Sequence, residues 1–185
     1  ALPATFAIDP EQPDHVGYNP GVSGIALNYN RVHFEWKRSG DGYDVTMEGR
    51  AARYAPAVRV ATMEVVDRSG PVYTYENRPE RDVWTVAEGA LGSGGARWLP
   101  IRRPGVYAGD IFATIARSHG IKLGDADLIE TLPEGETLVT HRSTKLRPIL
   151  KDMLKYSTNL TAEMVGMAAS AKRLGTVPSL RASAA

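Results

Sequence analysis

From about Val22 to Leu99 apolar and polar residues alternate with a period of two, the pattern of strands buried on one face. The stretch "VSGIALNYNRVHFEWKR" alternates on both sides of Asn28-Tyr29-Asn30, a turn-rich centre, and predicts a β-hairpin. "YDVTMEG", "VRVATMEVV", "PVYTYENR" and "DVWTVAEGAL" predict further strands, separated by Gly, Pro and Asp clusters at short spacing. The first hundred residues or so therefore read as a β-rich unit.

Beyond "PIRRPG" the period lengthens. In "YAGDIFATIARSHG", Tyr107, Ala108, Ile111, Ile115 and Ala116 share one helical face, and Gly120 supplies a C-terminal stop. Two short strands are expected to frame "ETLPEGET". From Ser143, Leu146, Ile149, Leu150, Met153 and Leu154 fall at helical spacing, so one face of this helix is expected to be buried. Ser143 is the expected N-cap, with Pro148 either distorting the first turn or delaying the start. A second helix, from about Thr161 to Arg173, presents Ala162, Val165, Ala169 and the stem of Lys172, and Gly175 closes it. "TVPSLRASAA" opens a third, with Pro178 near its first turn. No internal repeat or long low-complexity segment occurs.

Composition narrows the class. A chain of 185 residues with 43% hydrophobic content can bury the core of one ordinary domain or two small ones. Its 22 basic and 21 acidic residues are scattered, which gives no electrostatic footprint for nucleic acid or an anionic membrane. The absence of cysteine removes disulfides, thiolate catalysis and Cys-based zinc sites, and leaves the compartment undetermined. No apolar run approaches the roughly 20 residues of a membrane span. The opening "ALPATFAIDPEQP" has neither an initiator Met nor a charged signal, so the chain is expected to begin as a processed or internal piece.

Most local motifs lead nowhere. "GALGSGGARW" lacks the lysine of a phosphate-binding loop and reads as a hairpin tip. His15, His33, His119 and His141 form no metal-ligand pair, and no G-x-S-x-G elbow is present. Asp125 and Asp127 begin like a calcium loop without its later Gly and Glu, and read as solvated turn residues. What remains is "KYSTNLTAEM". Ser157 and Asn159, two apart in a loop between helices, can direct a hydroxyl and a carboxamide into one cleft. Alternatively Ser157 ends one helix and Asn159 caps the next, or Asn159-Leu160-Thr161 is a glycosylation acceptor.

The longer run "HRSTKLRPILKDMLKYSTNLTAEMVGMAA" resembles the second active-site motif of the class C low-molecular-weight penicillin-binding proteins, the D-alanyl-D-alanine carboxypeptidases and endopeptidases of the S13 peptidase family. There a Ser leads into an apolar helix, then S-D-N, then an Ala-Glu pair. Here these are Ser143, then Leu146, Ile149, Leu150, Met153 and Leu154, then Ser157-Thr158-Asn159 and Ala162-Glu163, with Thr158 in place of the usual Asp. "YNPGVSGIALNYNRVHFEW" is similar to the family's inserted β domains and "RRPGVYAGDIFATIARSHGIKLGD" to its helix and following Gly-Ile turn, so the resemblance runs from about Gly17 to Ala171.

The resemblance implies an α+β fold, with residues 1–135 forming a β-rich inserted domain and 136–185 the helical part of a penicillin-binding-protein transpeptidase-like domain. It implies a serine-type peptidase acting on peptidoglycan peptides through an acyl-enzyme, with Ser157 and Asn159 in the site, no cofactor, β-lactams as ligands and a periplasmic location. The S-x-x-K and K-T-G motifs that such enzymes also need occur nowhere in the chain. The 185 residues are therefore expected to be an interior portion, inactive alone, that partners the remaining segments of the same protein. Without the resemblance, the residues support a non-catalytic β-rich binding or scaffolding module with a helical tail.

Overall fold

The computed structural model describes residues 4–129, 131, 133–175 and 179–184. Its strands are β1 (Arg31–Ser39), β2 (Gly42–Glu48), β3 (Ala61–Val66), β4 (Tyr73–Arg78), β5 (Arg81–Ala87) and β6 (Gly94–Pro100). Its α-helices are α1 (Pro104–Ser118), α2 (Leu146–Tyr156), α3 (Asn159–Leu174) and α4 (Leu180–Ala184), which makes the fold α+β.

Two three-stranded sheets form, in the orders β2-β1-β6 and β3-β5-β4. The first is antiparallel, and in the second β3 runs parallel to β5 while β4 is antiparallel to it. Alternation decides which face is buried: Val32, Phe34 and Trp36 of β1 meet Trp84 and Val86 of β5 in one core, to which α1 adds Tyr107 and Ile111. β1, the central strand of its sheet, carries Arg31, His33 and Glu35 on its opposite face.

The expected hairpin at Asn28-Tyr29-Asn30 does not form. All three residues adopt left-handed φ values of 52°, 56° and 50°, and they feed β1 from a segment that is not a strand. Asn tolerates this region of backbone space, so the residue type that favours a hairpin turn also suits an entry turn. Asn30 anchors it: buried, it accepts the Leu27 N–H at 3.1 Å and donates to the Gly21 carbonyl at 2.9 Å. The hairpin partner of β1 is instead β2, joined through a turn containing Gly40 at φ +58°.

"GALGSGGARW" turns as expected, but it carries the chain from β5 in one sheet to β6 in the other rather than closing a hairpin. Gly94 and Gly95 look like loop residues, yet they begin β6. A Cβ on Gly95 would lie 2.6 Å from the Trp36 ring, so only glycine lets the strand approach.

The two strands expected around "ETLPEGET" are absent among the described residues there, which are exposed and unpaired; Glu130 and Leu132 lie outside the described residues. Leu138 and Val139 remain 88% and 85% exposed, with no neighbouring strand to complete a ladder. The next helix begins at Leu146 after Lys145, not after a Ser143 cap. Pro148 is its third residue, where a helical N–H has no intrahelical acceptor, so the ring costs no hydrogen bond.

The α2 face expected to be buried is covered only in part: Ile149, Leu150 and Met153 are half-buried, while Leu146 and Leu154 are exposed. α3 is better anchored. Its Leu160 and Met167 pack with Val22 and Ile8 of the N-terminal segment and with Leu180 of α4, forming a second, smaller core.

Candidate functional site

The junction of α2 and α3 builds the site. Ser157 ends α2 in the left-handed region, at φ 52° and ψ 50°, and its N–H donates to the Met153 carbonyl. Thr158 is extended and Asn159 begins α3. Two consecutive residues thus turn the chain from one helix into the next.

This geometry separates the alternatives that the sequence leaves open. Ser157 does terminate α2, but the residue preceding α3 is Thr158, which leaves the Asn159 amide free of capping. Asn159 Nδ2 donates instead to the Tyr18 carbonyl at 3.3 Å, a contact 141 residues away in sequence. The glycosylation reading requires a surface loop, whereas Asn159-Leu160-Thr161 is the first turn of a helix with Leu160 only 4% exposed.

Ser157 and Asn159 line one cavity of about 160 Å³. Gly17, Tyr18, Tyr29 and Arg31 form its other wall, and no residue lining it is acidic. The sequence assigns none of these four residues a role. Tyr29 and Arg31 sit inside a stretch read as a strand and turn, and nothing local to Gly17-Tyr18 marks it as part of a site.

Arg102 holds the Gly17-Tyr18 wall in place. Its side chain is 1% exposed. One terminal nitrogen donates to the carbonyls of Asn19 at 2.6 Å and Phe6 at 3.3 Å, and the other to that of Asp14 at 2.7 Å. Its guanidinium also lies 5.0 Å from the Phe6 ring centroid. The Arg102 backbone N–H donates to Asp82 at 3.0 Å, and the Tyr75 hydroxyl donates to the same carboxylate at 2.8 Å. Burial raises the Asp82 pKa above the ordinary carboxylate value, with these two donors opposing it.

Behind Arg31 on the same face of β1, the buried His33 meets the Trp98 ring at 4.9 Å between centroids, with Glu35, Glu48 and Arg50 around it. Its pKa is lowered from 6.5, first by burial and then by Arg50, with the two glutamates opposing. Above pH 6.5 His33 is neutral both folded and unfolded; as pH falls, the unfolded chain takes the proton first and stability drops through the folded pKa. His15, lowered chiefly by burial, adds in the same direction. The melting temperature is therefore expected to fall as the pH drops through the unfolded histidine value of 6.5, and His33→Gln to flatten that fall. Melting curves across that value check it, and parallel profiles for the two proteins would refute the assignment.

Other concave regions lack such a constellation. A cleft of about 530 Å³ contains Asp125 and Asp127, both exposed as expected of turn residues, and the ion pair of Arg59 with the buried Asp110 at 2.8 Å. A groove of about 750 Å³ between α2 and α3 is lined by Leu146, Ile149, Met164 and Val165. Among the described residues no three His, Asp or Glu side chains gather to hold a metal ion, and no helix is long and apolar enough to cross a membrane.

Comparison with known proteins covers nearly the whole chain. The model of the D-Ala-D-Ala carboxypeptidase 3 (S13) family matches residues 8–184. No curated protein matches the chain. Among solved structures, penicillin-binding protein 4 from Haemophilus influenzae, crystallised in complex with a novel β-lactam, is similar with a TM-score of 0.59 at 17% identity. The similarity covers 83% of this chain and 36% of that one, and it is a likeness of fold.

Proposed function

Since the chain belongs to the D-Ala-D-Ala carboxypeptidase 3 (S13) family, we propose that it is part of a serine-type D-Ala-D-Ala carboxypeptidase or endopeptidase acting on peptidoglycan peptides outside the cytoplasm, in the periplasm. The observation that carries this reading is the convergence of Ser157 and Asn159 on one cavity, at the junction where the family resemblance puts its middle motif. Residues 1–135 are the inserted domain and 136–185 belong to the catalytic domain. The remaining segments of the same protein supply the S-x-x-K and K-T-G motifs and cover the apolar face of α2.

In the complete enzyme the S-x-x-K serine attacks the carbonyl between the two D-alanines. An acyl-enzyme forms as the C–N bond breaks, and water then hydrolyses it. Ser157, together with a motif lysine, passes a proton to the departing D-Ala amine. Asn159 holds the peptide group of the substrate and helps orient that lysine, which is a contribution of placement. The oxyanion donors belong to the missing motifs. Ser157 suits its role because it lines the cavity from a left-handed joint held by a helix on either side.

A fluorescent penicillin tests the reading. The full-length protein is expected to be labelled covalently, and residues 1–185 alone are not, because the nucleophile lies elsewhere. No label on the full-length protein would overturn the proposal and favour the non-catalytic β-rich module.

A further inference from the structure

Residues 17–21, "GYNPG", lie against the end of β6 as a segment pinned along its length. A Cβ on Gly17 would lie 2.8 Å from the Trp98 carbonyl oxygen, and one on Gly21 2.9 Å from that of Arg102, so glycine at both ends lets the backbone settle there. Between them Asn19 is 2% exposed. Its carboxamide accepts the Asp9 N–H at 2.8 Å and donates to the Asp9 carbonyl at 2.7 Å, while its own carbonyl takes the Arg102 side chain. The Gly21 N–H donates to the Ile101 carbonyl at 2.8 Å, and the Gly21 carbonyl accepts Asn30 Nδ2 at 2.9 Å.

Tyr18 breaks this inward pattern, since its carbonyl accepts Asn159 Nδ2 at 3.3 Å. Among the described residues this is the only hydrogen bond of the Asn159 carboxamide. Both partners are held from the residues beside them: Leu160, next to Asn159, packs with Val22, next to Gly21. A carboxamide has one acceptor oxygen and two N–H donors on ends of nearly equal shape, so an unheld one can turn over. A fixed carbonyl prevents that by claiming the nitrogen, which leaves Oδ1 and the second N–H for a ligand.

We propose that residues 17–21 are a positioning element of the site, in which the backbone carbonyl of Tyr18 sets the orientation of the Asn159 carboxamide. The inference rests on the function proposed above, and it gives the inserted domain a part in catalysis. A lysine ammonium can only donate, so it pairs with Asn159 Oδ1 and is repelled by an amide turned the other way. Without the Tyr18 carbonyl the amide samples both orientations, and only one of them serves the motif lysine.

The test follows the rate at which fluorescent penicillin labels the full-length protein. Gly17→Ala and Gly21→Ala push the segment off β6 without altering Tyr18 or Asn159, and each should slow labelling about tenfold, the scale of one lost hydrogen bond. Gly21 does not line the cavity, so its added methyl cannot block it. In an Asn159→Ala background either change should alter the rate by less than about twofold, because no carboxamide is left to orient. Melting curves identify the folded variants, and either glycine variant suffices should the other not fold. A loss of the same size with and without the Asn159 carboxamide would mark the segment as merely structural and overturn the proposal, as would labelling at the wild-type rate in a folded glycine variant. An unlabelled wild type would instead overturn the underlying function, and the positioning role with it.

Discussion

Ser157→Ala in the full-length protein is expected, under the proposed function, to slow D-Ala release by about 10²–10⁴-fold, the range for loss of one positioned proton donor. The backbone complicates a simple interpretation, because Ser157 has φ 52° and alanine is strained there. Some of the loss in Ser157→Ala could then come from a distorted joint between α2 and α3. Ser157→Gly separates the two effects: glycine adopts this conformation readily, so stability should stay within about 1 kcal/mol of the wild type while activity falls as far as in the alanine variant. Steady-state rates and melting curves for both variants make the comparison. Wild-type turnover in Ser157→Gly would remove Ser157 from the mechanism.

The second large effect lies away from the cavity, at Arg102. Arg102→Met is expected to destabilise the fold by about 3–5 kcal/mol, since it strips a buried cation from the carbonyls that it organises. Those carbonyls belong to Phe6, Asp14 and Asn19, so the damage falls on the N-terminal segment. Tyr18, next to Asn19, would lose the position from which its carbonyl receives Asn159. Turnover should therefore fall together with stability. Arg59→Met serves as the contrast: the Arg59 side chain is 58% exposed, and Asp110, the buried carboxylate that it pairs with, keeps the backbone N–H groups of residues 59 and 60 as donors, so the loss should cost no more than about 1 kcal/mol. Denaturant unfolding of both variants decides the matter, and a cost for Arg102→Met no larger than for Arg59→Met would refute the role given to it.

Features written in local periodicity were legible. β2 to β5 match the alternating stretches but for one residue at the starts of β2 and β5, and α1 and α3 overlap the helical ones, because apolar residues two, three or four apart mark the face that each element buries. β6 has no such signal because Gly94 and Gly95 carry no side chains to alternate, and the need for glycine at 95 is visible only against the Trp36 ring. The left-handed turn of Asn28 to Asn30 was mistaken for a hairpin because its stabilising partners, the carbonyls of Gly21 and Arg50, lie outside it. The strands expected near "ETLPEGET" failed for the converse reason: an alternating stretch does not form a strand without an edge to pair with.

The candidate site divides along the same line. Ser157 and Asn159 could be named from the sequence because two helical periods flank them and the surrounding run carries a family pattern. Gly17, Tyr18, Tyr29 and Arg31 could not, since no short-range pattern says which wall will meet the α2–α3 joint. That meeting depends on Arg102 gathering the N-terminal segment and on Val22 packing with Leu160 and Met167. By itself the sequence determined the elements and half of the site, because helical and strand periods and the middle motif are local properties of the chain. Only the tertiary structure decided what faces Ser157 and Asn159, because that is set by burial and hydrogen bonding between segments as far as 141 residues apart.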